Sequence, residues 1–412
     1  LRFKNIAKTK IKISLKMTKA IRQTNTPRLV GIYLSISPNV GGSYQYCLSI
    51  IDAIENIKNK NIKFIFFIHD KKWKKILPPK FKIIELTRRL FAEKIINILK
   101  IIQLPISIHR FLCSIISKKI RIINNSRCSY VIFPSQEDEC GNIKLKSITA
   151  IHDLMHRYEN KFKEYNVKEF HKREVNFKRI CKFSNKILVD SRLGKKHVID
   201  SYNCKSKKLL ILPFTAPRYL KLSKIQDIYK KYKLPKKKFI FYPAQFWEHK
   251  NHKNLIKAFN ILQKKEKNII LVLAGKEKNN LENIKLIIKK YKLNKKIYIL
   301  GYIDQIDIFT FYKKASVMSF VSFSGPTNIP PLEAMFLGCP LICSNVYGMA
   351  EQVGSGGLLI NPKSPQDIAD KVSKIFKDRQ LNKKIIKNGF KQYLKFNNTK
   401  FNINFEKNLF LK

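Results

Sequence analysis

The chain has 412 residues, enough for two domains that each bury their own core. Its 44% hydrophobic content is normal for a globular protein and sets aside a disordered chain. Lys and Arg number 83 against 28 Asp and Glu, a formal net charge of +55 that favours polyanionic contacts but is spread along the sequence rather than gathered at one surface. The eight cysteines form no CxxC pair and no metal-type spacing, which fits a reducing, cytoplasmic compartment. No apolar run reaches the roughly 18 to 20 residues that span a bilayer.

Residues 1–27 read as a basic tail, because no Asp or Glu precedes Asp52. Charges recur too often in it for a secretory signal, and with Leu1 first, Met17 is a candidate start. Arg28 to Ile36 (RLVGIYLSI) is a buried-type strand, followed by Ser37-Pro38-Asn39-Val40-Gly41-Gly42 and a helix expected to open at Ser43. Gly41 and Gly42, set between strand and helix, allow a ligand close to the backbone, although glycine pairs also make ordinary turns. KFIFFIHD (63–70) and SYVIFP (129–134) read as further strands. Between them, Ile95 to Ile116 is either a core helix pair or a lipid-facing amphipathic element.

The strand 147–151 runs into His152-Asp153-Leu154-Met155-His156. Two His at this spacing raise a zinc site, but the intervening Glu of a zinc protease is absent and a strand end lacks helical geometry, so no metal is expected. His152 reads instead as lining a cleft, or as satisfied by Asp153. A polar helix over 166–183 leads to ILVDSR (187–192), where Ser191 stands at a helix start and Arg192 either faces phosphate or remains a surface charge. LLILPFTAP (209–217), cut by two prolines, marks a hinge.

A second series then begins: strand 239–242, loop 243–250, and a helix capped by Asn251 with Leu255, Ala258, Phe259 and Leu262 on one face. Lys250, beside a helix N-terminus, is a point charge for phosphate. The strands 268–274, 297–300 and 316–320 end in turns, as a parallel sheet requires. The last of them feeds VSFSGPTNIPPLEAMFLGCPLICSNVYGMAE (321–351): a strand, a break at Gly325-Pro326, and a helix from Pro330-Pro331 to Gly338. Glu333 falls in that helix's first turn, and Pro330 denies it a capping box.

IPPLEAMFLGCPLICSNVYGMAE resembles the donor-site segment of the retaining family-4, or group 1, glycosyltransferases. Glu333 matches the second of that family's paired Glu residues, which holds the ribose of a nucleotide sugar; Gly338, Pro340, Gly348 and Glu351 also fall in place. The first Glu is replaced by Gly325. An Arg before the Lys matched by Lys250 is replaced by Gln245, and Trp247, His249 and His252 either compensate or pack. The resemblance implies an α/β GT-B fold, two Rossmann-like parallel-sheet domains facing each other across a cleft: an acceptor-side domain at 28–210, a donor domain at 211–395, and a segment 396–412 returning to the first.

It further implies transfer of a sugar, of the mannose, rhamnose or similar hexose type, to a hydroxyl of a cell-surface polysaccharide or lipid-linked glycan, with retention and without metal or cofactor. Lys250 would meet the diphosphate, His152 the sugar, and Thr327, Asn328 and Ile329 would offer backbone N–H groups; Gly41, Gly42, Ser191, Arg192, Gln245 and Glu351 complete the expected donor site. The basic charge adds peripheral contact with the inner face of an anionic membrane. Two alternatives stay open: an epimerase of the same fold, and a degenerate scaffold holding RNA or anionic lipid. Aromatic and basic residues are scattered rather than striped, so nucleic acid is not expected.

Overall fold

The computed structural model describes residues 27–409 apart from 39–40, 60, 103, 218–219 and 221–223. All but the last position of the basic tail therefore lies outside the described residues. Leaving aside helices of about one turn, the chain runs β1 (Arg28–Leu34), α1 (Gly41–Glu55), β2 (Ile62–Ile68), β3 (Lys82–Glu85), α2 (Leu90–Ile101), α3 (Ile106–Ile116), α4 (Lys118–Asn124), β4 (Tyr130–Phe133), β5 (Lys146–Ile151), α5 (Val167–Phe183), β6 (Lys186–Val189), α6 (Arg192–Tyr202) and β7 (Leu209–Ile211). The second series is β8 (Lys238–Pro243), α7 (His252–Lys265), β9 (Ile269–Ala274), α8 (Leu281–Lys290), β10 (Ile297–Ile299), α9 (Gln305–Lys314), β11 (Val317–Phe320), α10 (Ile329–Leu337), β12 (Leu341–Ser344), β13 (Leu358–Ile360), α11 (Pro365–Lys377), α12 (Arg379–Tyr393) and α13 (Asn398–Leu409).

The strands form two sheets, ordered β3-β2-β1-β4-β5-β6-β7 and β10-β9-β8-β11-β12-β13, and their pairings are parallel throughout. Parallel sheets need helices on both faces, which explains why β1, β4, β8, β9 and β12 are nearly continuous apolar runs. In each sheet the order reverses once, between β1 and β4 and between β8 and β11. Loops leaving those strand ends diverge to opposite faces and leave a crevice there. Both crevices belong to the loops singled out in the sequence.

Several local expectations change. Helix α1 opens at Gly41, two residues before Ser43, because Gly41 takes φ +56° and turns the chain directly into the helix. Asn251 occupies the N-cap position of α7 without capping it: at φ 60° its amide is spent on the Val321 and Pro362 carbonyls, at 2.9 and 2.7 Å. The 95–116 stretch is two helices, α2 ending at Ile101 and α3 starting at Ile106 after Pro105. After α12 the chain crosses back, and α13 packs on α1, with Phe401 and Phe405 buried and Phe401 against Tyr46 at 5.9 Å. Two buried Phe supply about 3 to 6 kcal/mol toward holding the domains together.

Candidate active site

The two crevices confront each other. A methyl group at Gly41 would come 3.7 Å from Gln245 Nε2, and one at Gly42 would come 3.8 Å from Ile329 Cδ1. The N-terminus of α1 thus stands against Gln245 in the loop after β8 and against the N-terminus of α10. The first N–H groups of α1 point into this gap, an arrangement suited to an anion, whereas at α10 Pro330 and Pro331 leave Ile329 as the single N–H donor among the first three helical positions. Gln245 is held in turn by Trp247, whose indole N–H donates to its Oε1 at 2.8 Å.

Cross-domain bonds fix the cleft. Thr327 donates its hydroxyl to Asp190, His249 bonds Glu164 through both its Nδ1 and its backbone N–H, and Tyr347 donates to Glu159 at 2.7 Å. Burial pushes Asp190 up to about 7, against the hydroxyls of Thr327 and Ser191. Glu164 goes the other way: burial opposes its charge, but His249 and the Asn279 amide bring it down to about 2. His252, by contrast, packs between the rings of Tyr242 and Phe246 and belongs to the core.

Lys250 is half-buried at the end of the loop after β8, its ammonium 5.5 Å from the Phe320 ring. Burial lowers its pKa to about 8, resisted by the carboxylates of Asp153 and Glu164 from the first domain. A cation held in poor solvation beside helix N-termini gains most when an anion arrives.

The loop 325–328 explains one departure. Gly325 takes φ +122°, and a Cβ there would lie 2.6 Å from Asn328 Nδ2. No L side chain suits that backbone, so the position cannot carry a Glu in this loop conformation. Gly325→Ala should cost about 1 to 3 kcal/mol, read as a lowered Tm in thermal denaturation, and Gly325→Glu should lose at least as much. An unchanged Tm would mean the loop adopts another path.

The expectation that residues 327–329 all offer backbone N–H groups is corrected at Asn328. Gln352, which sequence reasoning passed over, clasps that residue: Asn328 N–H donates to Gln352 Oε1 at 3.0 Å, and Gln352 Nε2 donates to the Asn328 carbonyl at 2.8 Å. What the loop leaves available is the Asn328 side chain. Its Nδ2 is buried and meets no acceptor among the described residues. Gln352 follows the matched Glu351, and nothing in spacing alone distinguishes the residue that touches the loop.

Glu333 lies in the second turn of α10, not the first, because the helix starts at Ile329. It is buried, and Tyr312 donates to its Oε2 at 2.6 Å, fixing the plane of the carboxylate. His152 is buried too. Its Nε2 donates to the Pro134 carbonyl at 2.9 Å, so that nitrogen carries the proton, while burial lowers its pKa to about 4 and keeps the ring neutral. Asp153 does not satisfy it: that carboxylate is held by Arg173 at 2.6 Å. His156 turns away to Glu174 at 2.9 Å.

Ser191 is a helix cap, with its oxygen accepting from Gly194 N–H at 2.9 Å and its hydroxyl donating to Asp190. Its O–H is given to Asp190, which sets Ser191 as a structural cap rather than the donor contact expected of it. Arg192 is exposed, as is Glu351; both line, with Ser191 and Thr327, an interdomain crevice of about 180 Å³. Among the described residues, no group of three His, Cys, Asp or Glu side chains is arranged to hold a metal ion.

A larger cavity, about 780 Å³, opens in the first domain between α2, the loop after β4 and α5. The acidic run 137–139 at its wall was not singled out from the sequence. Ser35 donates to Glu137 at 2.5 Å, and burial with Glu139 nearby pushes Glu137 up. Burial opposes the charge of Glu139 as well, but Lys119 at 2.9 Å and Lys100 keep its carboxyl low. Asp153 lines this cavity, and its charge is one of those that support the Lys250 ammonium.

Residues 224–392 match the family model for glycosyl transferases group 1. The chain is 24% identical over 268 residues to a serotype-specific mannosyltransferase, WbdA of Escherichia coli, covering 62% of this chain and 32% of that protein. An uncharacterized glycosyltransferase, MJ1069 of Methanocaldococcus jannaschii, is 30% identical over 190 residues, 44% of this chain and 47% of its own. The chain thus spans about a third of the length of the WbdA relatives it matches. In fold it is similar to HepE of Anabaena, solved in complex with UDP and glucose, with TM-score 0.70 at 15% identity over 92% of this chain and 99% of that one. Residues 224–392 are thus similar to the group 1 glycosyl transferases, within a chain whose two facing parallel sheets have the GT-B fold.

Proposed function

We propose that this chain is a glycosyltransferase moving a hexosyl group, mannose in the first instance, from a nucleoside diphosphate sugar to a hydroxyl of a cell-surface polysaccharide or lipid-linked glycan. The observation that carries it is the meeting of the α1 and α10 N-termini at the two switch points, with Lys250 at the end of the same β8 loop. The leaving diphosphate needs charge fixed in place before the sugar carbon becomes cationic, and Lys250 with the N–H groups at the start of α1 would supply it without reorganising. Glu333 would take the ribose hydroxyls, and the Asn328 amide would reach the sugar or phosphate. The diphosphate would need no divalent cation. His152, neutral, would accept from or pack on the sugar rather than act as a cation.

The mannosyl choice rests on the names of the relatives, and retention of configuration on the family resemblance. The test is to incubate the protein with the sugar conjugates of UDP, GDP, dTDP and ADP, with and without glycan acceptors, in EDTA. One donor should be consumed only with acceptor, and NMR should show the donor's anomeric configuration in the product. Consumption without acceptor would favour an epimerase, and an inverted anomer would overturn retention.

A further inference from the structure

Eighteen large apolar residues are exposed in the described structure, and eight of them fall between residues 90 and 115. On α2 and its end these are Leu90, Phe91, Ile98, Ile101 and Ile102, with Phe91 and Ile101 exposed to 78% and 77%. On α3 they are Ile108, Phe111 and Ile115. Their spacing is helical, and it differs from that of the buried stripes, Ala92 with Ile96 on α2 and His109 with Cys113 on α3. Each helix therefore has one apolar stripe that packs on the domain and a second that meets solvent. Scattered single exposed apolar residues need no explanation, but a cluster on two consecutive helices does.

The surroundings of this cluster are strongly one-signed. Arg88, Arg89, Lys94, Lys118 and Arg121 are exposed around it. From residue 86 to 125 the single acid is Glu93, which lies 3.4 Å from Lys119. A second copy of this chain docking face to face would set like charges against each other, since a two-fold contact pairs each patch with itself. An anionic lipid surface offers the complement to both parts, headgroup charge for the rim and acyl chain for the stripes. No helix among the described residues is long and apolar enough to cross a membrane, so the contact would be a surface one.

We propose that the α2–α3 hairpin docks this protein on an anionic membrane, with Phe91, Ile98, Ile101, Phe111 and Ile115 entering the headgroup boundary. The inner side of the same helix α2 contributes Ile96 and Lys100 to the wall of the first-domain cavity. Docking would bring that cavity to the membrane, where an acceptor held in the lipid could enter; this last step rests on the transferase reading, whereas the docking rests on the exposed faces alone.

The test is flotation of the full chain with vesicles of phosphatidylcholine alone or mixed with phosphatidylglycerol. Wild type should float with the mixed vesicles and keep part of its binding in high salt, and Phe91→Glu with Phe111→Glu should weaken it at least tenfold. Ile225→Glu with Leu286→Glu makes the same charge change at exposed apolar positions of the second domain and should leave binding near wild type. Both double variants should keep the wild-type Tm. Equal binding by the two would show that net charge alone drives adsorption and would overturn the proposal. So would a concentration-dependent dimer in sedimentation that only the 91/111 pair abolishes. Loss of nucleotide binding with vesicle binding intact would sink the transferase reading and leave the docking standing.

Discussion

Glu333→Ala is expected to weaken binding of the donor nucleotide by about two to four orders of magnitude while leaving the fold intact. A buried carboxylate accepting from two ribose hydroxyls supplies about 1.5 to 3 kcal/mol per bond, and alanine removes both. The carboxylate is oriented in advance, because Tyr312 donates to Oε2 at 2.6 Å from α9, and it stands on a helix whose start faces α1. Glu333→Gln keeps the shape but not the charge, and should lose about tenfold. Isothermal titration calorimetry with the cognate nucleoside diphosphate reads both. Equal affinity for wild type and Glu333→Ala would place the ribose elsewhere and leave Glu333 as a core partner of Tyr312.

The second large effect is at Lys250. If its ammonium meets the leaving diphosphate, Lys250→Ala should lower kcat by about 10² to 10³, the range for removing one fixed group from a developing anion. Its pKa of about 8 adds a pH signature. Below pH 8 the ammonium is present and the anion binds; as pH rises through 8 the free enzyme loses the proton, and affinity for the diphosphate should fall by up to tenfold per pH unit. Binding the anion raises the pKa in the complex, so kcat at saturation should hold to higher pH than kcat/KM. Lys250→Arg keeps a charge that does not titrate in this range, and should flatten the profile while lowering the rate. A wild-type profile flat from pH 7 to 9.5 would remove Lys250 from the diphosphate site.

The frame was legible in the sequence because it follows from periodicity and punctuation. Short apolar runs leading into the loops before Gly41, Lys250 and Gly325 read as parallel strands with loops at one end, and the sheet order puts those loops at its reversals. The helix carrying Glu333 was legible from Pro330-Pro331 and Gly338, although its start at Ile329 moves Glu333 from the first turn to the second. What could not be read is what depends on long-range contact. The amide of Gln352 on Asn328, Glu164 reaching His249 from the other domain, and Asp190 under Thr327 each join residues at least 24 positions apart, with no local pattern to announce them. Ser191 shows the converse: the resemblance set it in the donor site, and its oxygen caps α6. Of the two departures from the family's donor residues, Gly325 and Gln245, the structure gives the first a cause in its backbone.

The most direct measurement is a thermal-shift screen of the wild-type chain against UDP, GDP, dTDP, ADP and their sugars, run in EDTA and repeated with Glu333→Ala and Lys250→Ala. A ligand that binds only the folded state adds about 2.7 kcal/mol of stability at a hundredfold excess over its Kd. One nucleotide should raise the wild-type Tm by several degrees, and neither variant should respond. If no nucleotide shifts folded wild-type protein at high concentration, the cleft is not a donor site and a binding scaffold becomes the better description.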